Sequence, residues 1–411
     1  MTPSPRVSPP AASPRVATDH GAAVTASFLG WTLDSFDYFL VVFCLTAIAK
    51  DFQKSDAEIA LSITITLAFR PIGAFIFGLL ADRYGRRLPL MLDLVFYSMA
   101  QMATGFASNY FTFMVVRALF GVGMGGMWGV SASLAMEKVP PRFRGVVSGL
   151  LQQGYAAGNL LAALAYFALF ERWGWRPLFW IGGLPALLSL FVLFKVKESE
   201  VWRKSREESW SGLGRAIVSN WKLFVYIALL VTGLSLASHG TQDMYPTFLQ
   251  RQWGFDAAQR SLVTGFSAIG AIIGGALTGL LSDRFGRRRM IIVSLVLAIV
   301  LVPLWAFSPS IALLYAGSFL MQFMVQGAWG VMPAHLSELS PDSVRGFLPG
   351  FAYQCGSLLS SSVAWIEAVL AQRTSYGTAM ASTAAAVFAF ACIMTAVGRE
   401  RLGRTFGNPI R

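Results

Sequence analysis

The chain has 411 residues, 55% of them hydrophobic and only 13% charged, with a net charge of +12 and a mean hydropathy of +0.57. A soluble domain carries roughly 25% charged residues, so the composition excludes a water-soluble globular protein and implies repeated membrane crossings. Its three cysteines, Cys44, Cys355 and Cys392, stand far apart, with no disulfide or metal-ligand spacing; no metal and no cofactor is expected.

Residues 1–21, MTPSPRVSPPAASPRVATDHG, are rich in Pro, Ser and Ala and have no apolar core. They read as a disordered tail and not as a secretory signal. Twelve apolar runs follow, near 22–49, 57–81, 88–107, 109–136, 144–170, 176–196, 221–250, 257–282, 289–308, 310–338, 344–372 and 376–398. Each is about 20 residues or longer, enough to cross a ~30 Å hydrocarbon core as a helix. Helices are required because lipid cannot satisfy open backbone groups. The expected fold is an all-α membrane protein: a six-helix bundle at 22–196, a charged cytoplasmic linker at 197–220, a second six-helix bundle at 221–398 and a tail at 399–411.

The basic charge is unevenly placed. With the N-terminus inside, the inner segments carry 24 of the 33 Lys and Arg. The outer loops carry Lys50, Lys54, Arg172, Arg176, Arg251, Arg260 and Arg373, while Arg70 and Arg117 lie within runs. This is the positive-inside bias. Both termini are therefore expected in the cytoplasm. The charge reports topology and anionic lipid, and no nucleic-acid partner is expected.

An ionisable residue at mid-membrane costs at least ~2.5–3.5 kcal/mol, so the few within runs are candidates for function. Asp34 and Asp37, three apart, share a helix face. Asp34 is about 12 residues from the inner end, a rise of ~18 Å. Two close, desolvated carboxylates oppose joint ionisation, which suits proton carriage. Arg70 lies near mid-depth in the second run. It cannot lose its charge, and its planar fork matches a carboxylate. It is either a standing partner of Asp34 or Asp37, or an anchor for a substrate anion, or both in competition. Arg117, followed by GVGMGG, is open to a part in proton movement, a gate or a structural ion pair; the glycines suit close helix packing. In the seventh run His239 and Asp243 are i and i+4 and share a face, with Gln242 beside them. Pro246 frees a carbonyl one turn back. Gln153 and Gln354 are candidates for substrate contact. Glu367 lies in the same run as Gln354, and His335 and Glu338 close the tenth run.

The chain also repeats itself. GLLADRYGRR at 78–87 and GLLSDRFGRR at 279–288 match at eight of ten positions, at an offset of 201. The same offset aligns Trp128-Gly129 with Trp329-Gly330 and EKVPPRFRG (137–145) with ELSPDSVRG (338–346). It also pairs Gln153 with Gln354 and places the polar patches of the first and seventh runs at equivalent depth. No GxxxxGK[ST] phosphate loop occurs, so ATP is not the expected energy source.

The duplicated halves and the twice-occurring GxxxDRxGRR loop resemble the major facilitator superfamily, in which two halves rock about a central cavity. SHGTQDMYPT resembles the [S/T]HxxQDxxxT motif of the Jen-type lactate and pyruvate permeases, related to the sialate:proton symporter family. Ser238, His239, Gln242, Asp243 and Thr247 match it, and Ser235 stands where the eukaryotic form has Asn. WTLDSFDYF and RPIGAFIFGLLADRYGRR are similar to bacterial members. The resemblance implies that Arg70 anchors the carboxylate. It implies an inner gate built from the loop charges Asp82, Arg83, Arg86, Asp283, Arg284 and Arg287, with Glu137, Arg144, Glu338 and Arg345; Arg117 is assigned to gating with them.

The expected function is proton-coupled symport of a small monocarboxylate, lactate or pyruvate in class, by a monomer in a bilayer. Arg70, His239, Gln242, Gln153 and Gln354 are the substrate candidates; Asp34, Asp37, His239 and Asp243 are the proton candidates. Sialic acid, or an aromatic or dicarboxylic acid, is the alternative substrate. A non-transporting receptor is the alternative class. The basic inner loops suit a bacterial inner membrane.

Overall fold

The computed structural model describes residues 14–207 and 209–407. The expected disordered tail lies outside them as far as residue 13. From Pro14 onward that segment is instead the start of a helix, α1 (Pro14–Phe52). The first half continues with α2 (Asp56–Tyr84), α3 (Arg87–Gly105), α4 (Tyr110–Lys138), α5 (Arg144–Gln152), α6 (Gly154–Trp173), α7 (Arg176–Ile181) and α8 (Pro185–Lys195). The linker holds two short helices, α9 (Glu200–Ser205) and α10 (Trp210–Ser219). The second half comprises α11 (Trp221–Gln242), α12 (Tyr245–Trp253), α13 (Ala257–Phe285), α14 (Arg287–Ala306), α15 (Ile311–Leu339), α16 (Leu348–Ser360), α17 (Val363–Arg373) and α18 (Tyr376–Val397).

Among the described residues, nine helical stretches are long and apolar enough to cross a membrane, counting α7–α8 and α11–α12 as single stretches. The other three expected runs are helical but interrupted or more polar. α3 carries Asp93 and Gln101 inside its length. α5 and α6 meet at Gln153. α16 and α17 part at Ser361–Ser362, where the hydroxyls of Ser360 and Ser361 donate to the carbonyls of Ser357 and Leu358, a local competitor for helix bonding. α11 stops at Gln242, and Pro246 lies in the first turn of α12.

The repeat persists in the local chemistry. Ser55 and Asp256 each form a capping box, with Glu58 and Gln259, at the starts of α2 and α13. Asn109 and Ser310 cap α4 and α15. Gly85 and Gly286, in the two loop motifs, both adopt φ +102°, a conformation that side chains with Cβ avoid.

The side-chain hydrogen bonds that join the halves gather at the end carrying the two loop motifs. Asp82 accepts from the backbone N–H of Gly346 (2.8 Å) and Phe347 (2.9 Å), at the start of α16. Asp283 accepts from Gly145 (2.8 Å) and Val146 (3.1 Å), at the start of α5. Each carboxylate thus meets the positive end of a helix in the other half. Beside them stand two copies of one clamp. Glu137 bonds Arg86 of its own half at 3.0 Å and Arg345 of the other at 3.3 Å. Glu338 bonds Arg287 at 3.1 Å and Arg144 of the other half at 3.6 Å. All six side chains are nearly or fully buried.

The linker and C-terminal segment cover this clamp. Trp202 donates to the Asp82 carbonyl at 2.7 Å. Arg404 bonds Asp342 at 2.8 Å, and the guanidinium groups of Arg144 and Arg345 lie 3.4 and 3.7 Å from the Phe406 ring centroid. The expected tail at 399–411 is therefore, as far as residue 407, packed against the clamp.

Removing one charge of a buried pair strands the other, at a cost of about 3–5 kcal/mol. Glu137→Gln removes the carboxylate that Arg86 and Arg345 share, leaving Arg86 with Asp82 and Arg345 with Asp342. It is expected to lower the melting temperature of the detergent-solubilised protein; an unchanged value would show that the clamp charges are not needed for stability.

Candidate functional site

Arg70 projects from the middle of α2, 8% exposed, with Nε and Nη2 lacking any hydrogen-bond partner. Its position is set by glycine. α4 packs against α2 so closely that a Cβ on Gly125 would lie 2.7 Å from the Arg70 carbonyl carbon and 2.9 Å from its Cα. Gly121 lies against Thr66 in the same way. The GVGMGG run therefore serves the close packing expected of it, and through it fixes where Arg70 emerges.

Asp34 and Asp37 on α1 are fully buried, and none of their carboxylate oxygens has a hydrogen-bond partner. Each lies within electrostatic reach of one arginine: Asp34 of Arg70, Asp37 of Arg117. Arg117 is itself fully buried. Its Nη1 donates to Gln101 Oε1 at 2.9 Å, and its guanidinium lies 4.2 Å from the Phe120 ring centroid. Gln101 Nε2 in turn donates to the Asp37 carbonyl at 3.0 Å. Arg117 thus stands apart from the clamp it was grouped with. Arg83 also lies outside the clamp, donating to the Glu207 carbonyl at 3.3 Å, and Arg284 sits over Phe285.

Tyr38, Tyr155, Tyr353 and Asp243 all lie within electrostatic reach of one another or of Arg70, which brings residues of both halves together around Arg70. Tyr353 stacks on Trp128 at 4.3 Å and meets Trp329 edge-on at 5.7 Å. These two tryptophans are repeat equivalents, so Tyr353 sits against matching rings of the two halves.

His239 and Asp243 form a pair at 3.2 Å, with side chains 48% and 41% exposed. Gln242 Nε2 donates to Ser238 Oγ (2.9 Å) and Gln322 Oε1 (3.1 Å). Gln326 donates to the same Ser238 hydroxyl at 3.0 Å, and Gln322 to the Thr241 hydroxyl at 3.0 Å. The SHxxQD run is therefore one edge of a network shared with α15. Behind it, Glu367 on α17 is 1% exposed with both oxygens unpartnered, within reach of Asp243.

Gln354 Nε2 donates across the interface to the Gly125 carbonyl at 3.4 Å, and Gln153 bonds its own helix at Gly149. Gln354 Oε1 has no partner, and Gln153 Nε2 lies against Gly275 of the second half. Sequence reasoning left out Asp93, Gln101, Gln322, Gln326, Tyr155 and Tyr353. Asp93 carried the same signal as Asp34, a carboxylate inside an apolar run; the glutamines and tyrosines carried none without the partner helix.

The comparisons with known proteins agree with this geometry. The family model described as Major Facilitator Superfamily matches residues 27–242 and again 241–406. The chain belongs to the Major Facilitator Superfamily. It is a secondary transporter and an integral multi-pass membrane protein, not an enzyme. Among relatives of this facilitator, a probable 4-methylmuconolactone transporter of Cupriavidus pinatubonensis is 34% identical over 89% of this chain and 87% of its own length. A carboxylic acid transporter protein homolog of Saccharomyces cerevisiae is 28% identical over 93% of this chain and 68% of its own. A sialic acid transporter of Escherichia coli is 27% identical over 82% and 83%. The structure of a proton:xylose symporter superposes with a TM-score of 0.76 at 18% identity, covering 95% of this chain and 98% of that one, a likeness of fold.

Gly125→Ala pushes a methyl into the Arg70 backbone and must part α2 from α4. Overpacking of this kind costs about 1–3 kcal/mol. The expected result is a lower melting temperature together with weakened substrate uptake; native uptake would show that Arg70 tolerates displacement.

Proposed function

We propose that this facilitator is a symporter of a small monocarboxylate, lactate or pyruvate in class, coupled to a proton. The observation that carries the reading is Arg70: a permanent cation at mid-membrane, amid residues of both halves, with Nε and Nη2 unpartnered. A charge so placed is costly unless an anion neutralises it. Asp34 lies within reach but makes no hydrogen bond to it. A substrate carboxylate can take the guanidinium fork, and a proton can then neutralise Asp34. The loaded centre carries no more net charge than the empty one, so the rocking step does not drag an uncompensated charge. His239 and Asp243, exposed on the facing half, supply a second proton-accepting pair, and Ser238, Gln242 and the α15 glutamines supply neutral hydrogen bonds for a substrate hydroxyl or keto group.

The basic bias assigns the clamped end to the cytoplasm, consistent with a bacterial inner membrane. In that orientation the closed clamp corresponds to a cavity sealed from the inside.

Relatives named for 4-methylmuconolactone and cis,cis-muconate favour a second reading, a larger unsaturated acid. The geometry weighs against a dicarboxylate. A second carboxylate needs a second cation, and Arg117 is fully buried and held by Gln101.

Labelled L-lactate uptake into proteoliposomes acidified outside tests the reading. Gradient-dependent accumulation, competed by pyruvate, is expected. Arg70→Ala should abolish it, and Arg70→Lys, which keeps the charge without the fork, should raise KM more than it lowers kcat. Lack of lactate flux together with competition-sensitive muconate flux would contradict the monocarboxylate assignment.

A further inference from the structure

α3 is not among the helices that meet across the two halves, yet it carries a buried polar stripe. Arg86, Asp93, Tyr97 and Gln101 recur at spacings of 7, 4 and 4, which keeps them on one helical face. Gln101 binds Arg117 and the Asp37 carbonyl. Arg86, at the other end, binds Glu137 and Asp82 in the clamp. Between them stand Asp93 and Tyr97, both 0% exposed. Neither Asp93 oxygen has a hydrogen-bond partner, and neither does the Tyr97 hydroxyl. The 8 residues from Asp93 to Gln101 span a rise of ~12 Å.

A carboxylate buried without a partner is expensive, and nothing in the packing of α3 calls for one. The helices packed against it offer no counter-charge. Arg70 of α2 faces Asp34, and Arg117 of α4 faces Asp37. Arg176 of α7 binds Asp51, and Lys195 of α8 is exposed. Asp82 and Glu137 are held by Arg86. The charge that reaches Asp93 is that of Asp34, and Tyr97 lies within reach of Asp34, Asp37 and Asp93 alike. Tyr97 is itself held in place: its Cβ would meet a Cβ on Gly123 at 2.5 Å, and its ring meets Phe120 edge-on at 6.2 Å.

We infer that Asp93 and Tyr97 form a further proton-binding station, carrying protons between Asp34 and the clamped end along α3, on a path separate from that of the substrate. The inference rests on the proton-coupled reading above. The step balances. Asp34 gives up its carboxyl proton and an Asp93 carboxylate oxygen takes one up, while the Tyr97 hydroxyl, unbonded in this state, stands within electrostatic reach of both. One proton moves, Tyr97 is neutral before and after, Asp34 is left ionised and Asp93 protonated.

The test separates substrate handling from proton handling in proteoliposomes holding the full chain. Lactate exchange at equal pH needs no net proton flux; accumulation under an acid-outside gradient does. Asp93→Asn is expected to keep exchange near the native rate and to reduce gradient-driven uptake roughly tenfold or more, as for loss of a positioned proton acceptor. Asp93→Glu should restore accumulation with a displaced pH profile, and Tyr97→Phe should slow accumulation while sparing exchange. Native accumulation by Asp93→Asn overturns the inference. So does loss of exchange and accumulation together without rescue by Asp93→Glu, which marks a structural residue. Where Asp93→Asn does not fold, unchanged gradient-driven uptake by Tyr97→Phe overturns it. Absence of carboxylate flux in the native protein overturns the symport reading itself, and the station with it.

Discussion

A guanidinium in the middle of a membrane cannot be discharged by losing its proton, and much of the molecule is arranged around that constraint. Arg70 is held by glycines that let α4 press on the α2 backbone. A carboxylate lies within reach but is not bonded to it. Tyr353, within reach of Arg70, packs against Trp128 and Trp329 of the two halves. A partner locked permanently to Arg70 would leave no reason for a cavity. A loosely held one leaves the cation free to change partner, and on the proposed reading that exchange is the binding step.

The same economy operates at the clamp. One three-residue device occurs twice, related by the repeat, and each copy crosses the interface. Buried pairs of this kind add little net stability but enforce which surfaces meet. Opening this end must separate Glu137 from Arg345, Glu338 from Arg144, and two carboxylates from two helix ends. Each glutamate keeps its own-half arginine on opening and Arg345 keeps Asp342, so among the described clamp charges Arg144 is the one that gives up its ion pair. That lowers the cost of the switch and makes a two-state element plausible physics. The C-terminal segment adds to the closed state by laying Phe406 between two clamp arginines.

Much of this was legible in the sequence because lipid imposes long apolar runs and because the repeat is ungapped. The offset that aligned the loop motifs also aligned helix caps, the positive-φ glycines and both clamps. Charges within runs stood out against an apolar background, so Arg70, Asp34, Asp37 and the His239–Asp243 pair could be singled out. What the sequence could not place depended on helix rotation. Gln153 and Gln354 are repeat equivalents, yet Gln354 donates to the Gly125 carbonyl and Gln153, bonded to the Gly149 carbonyl, lies against Gly275 of the other half. Arg117 was grouped with the gate, but depth and Gln101 place it with Asp37. Tyr353 and Gln322 look ordinary until the opposing helix is present. Serine pairs that break α16 from α17 were likewise hidden, because serine is common in membrane helices that run unbroken.

The central claim is that substrate anion and proton neutralise one another at Arg70 and its neighbouring carboxylates. The most direct test is the electrical signature of transport. Lactate uptake into proteoliposomes at a fixed pH gradient is measured while a potassium diffusion potential is set to either sign. An anion carried with one proton moves no net charge, so the account predicts rates that do not depend on the potential. Uptake that an inside-positive potential drives and an inside-negative one suppresses would mean that the anion crosses uncompensated, and would contradict it.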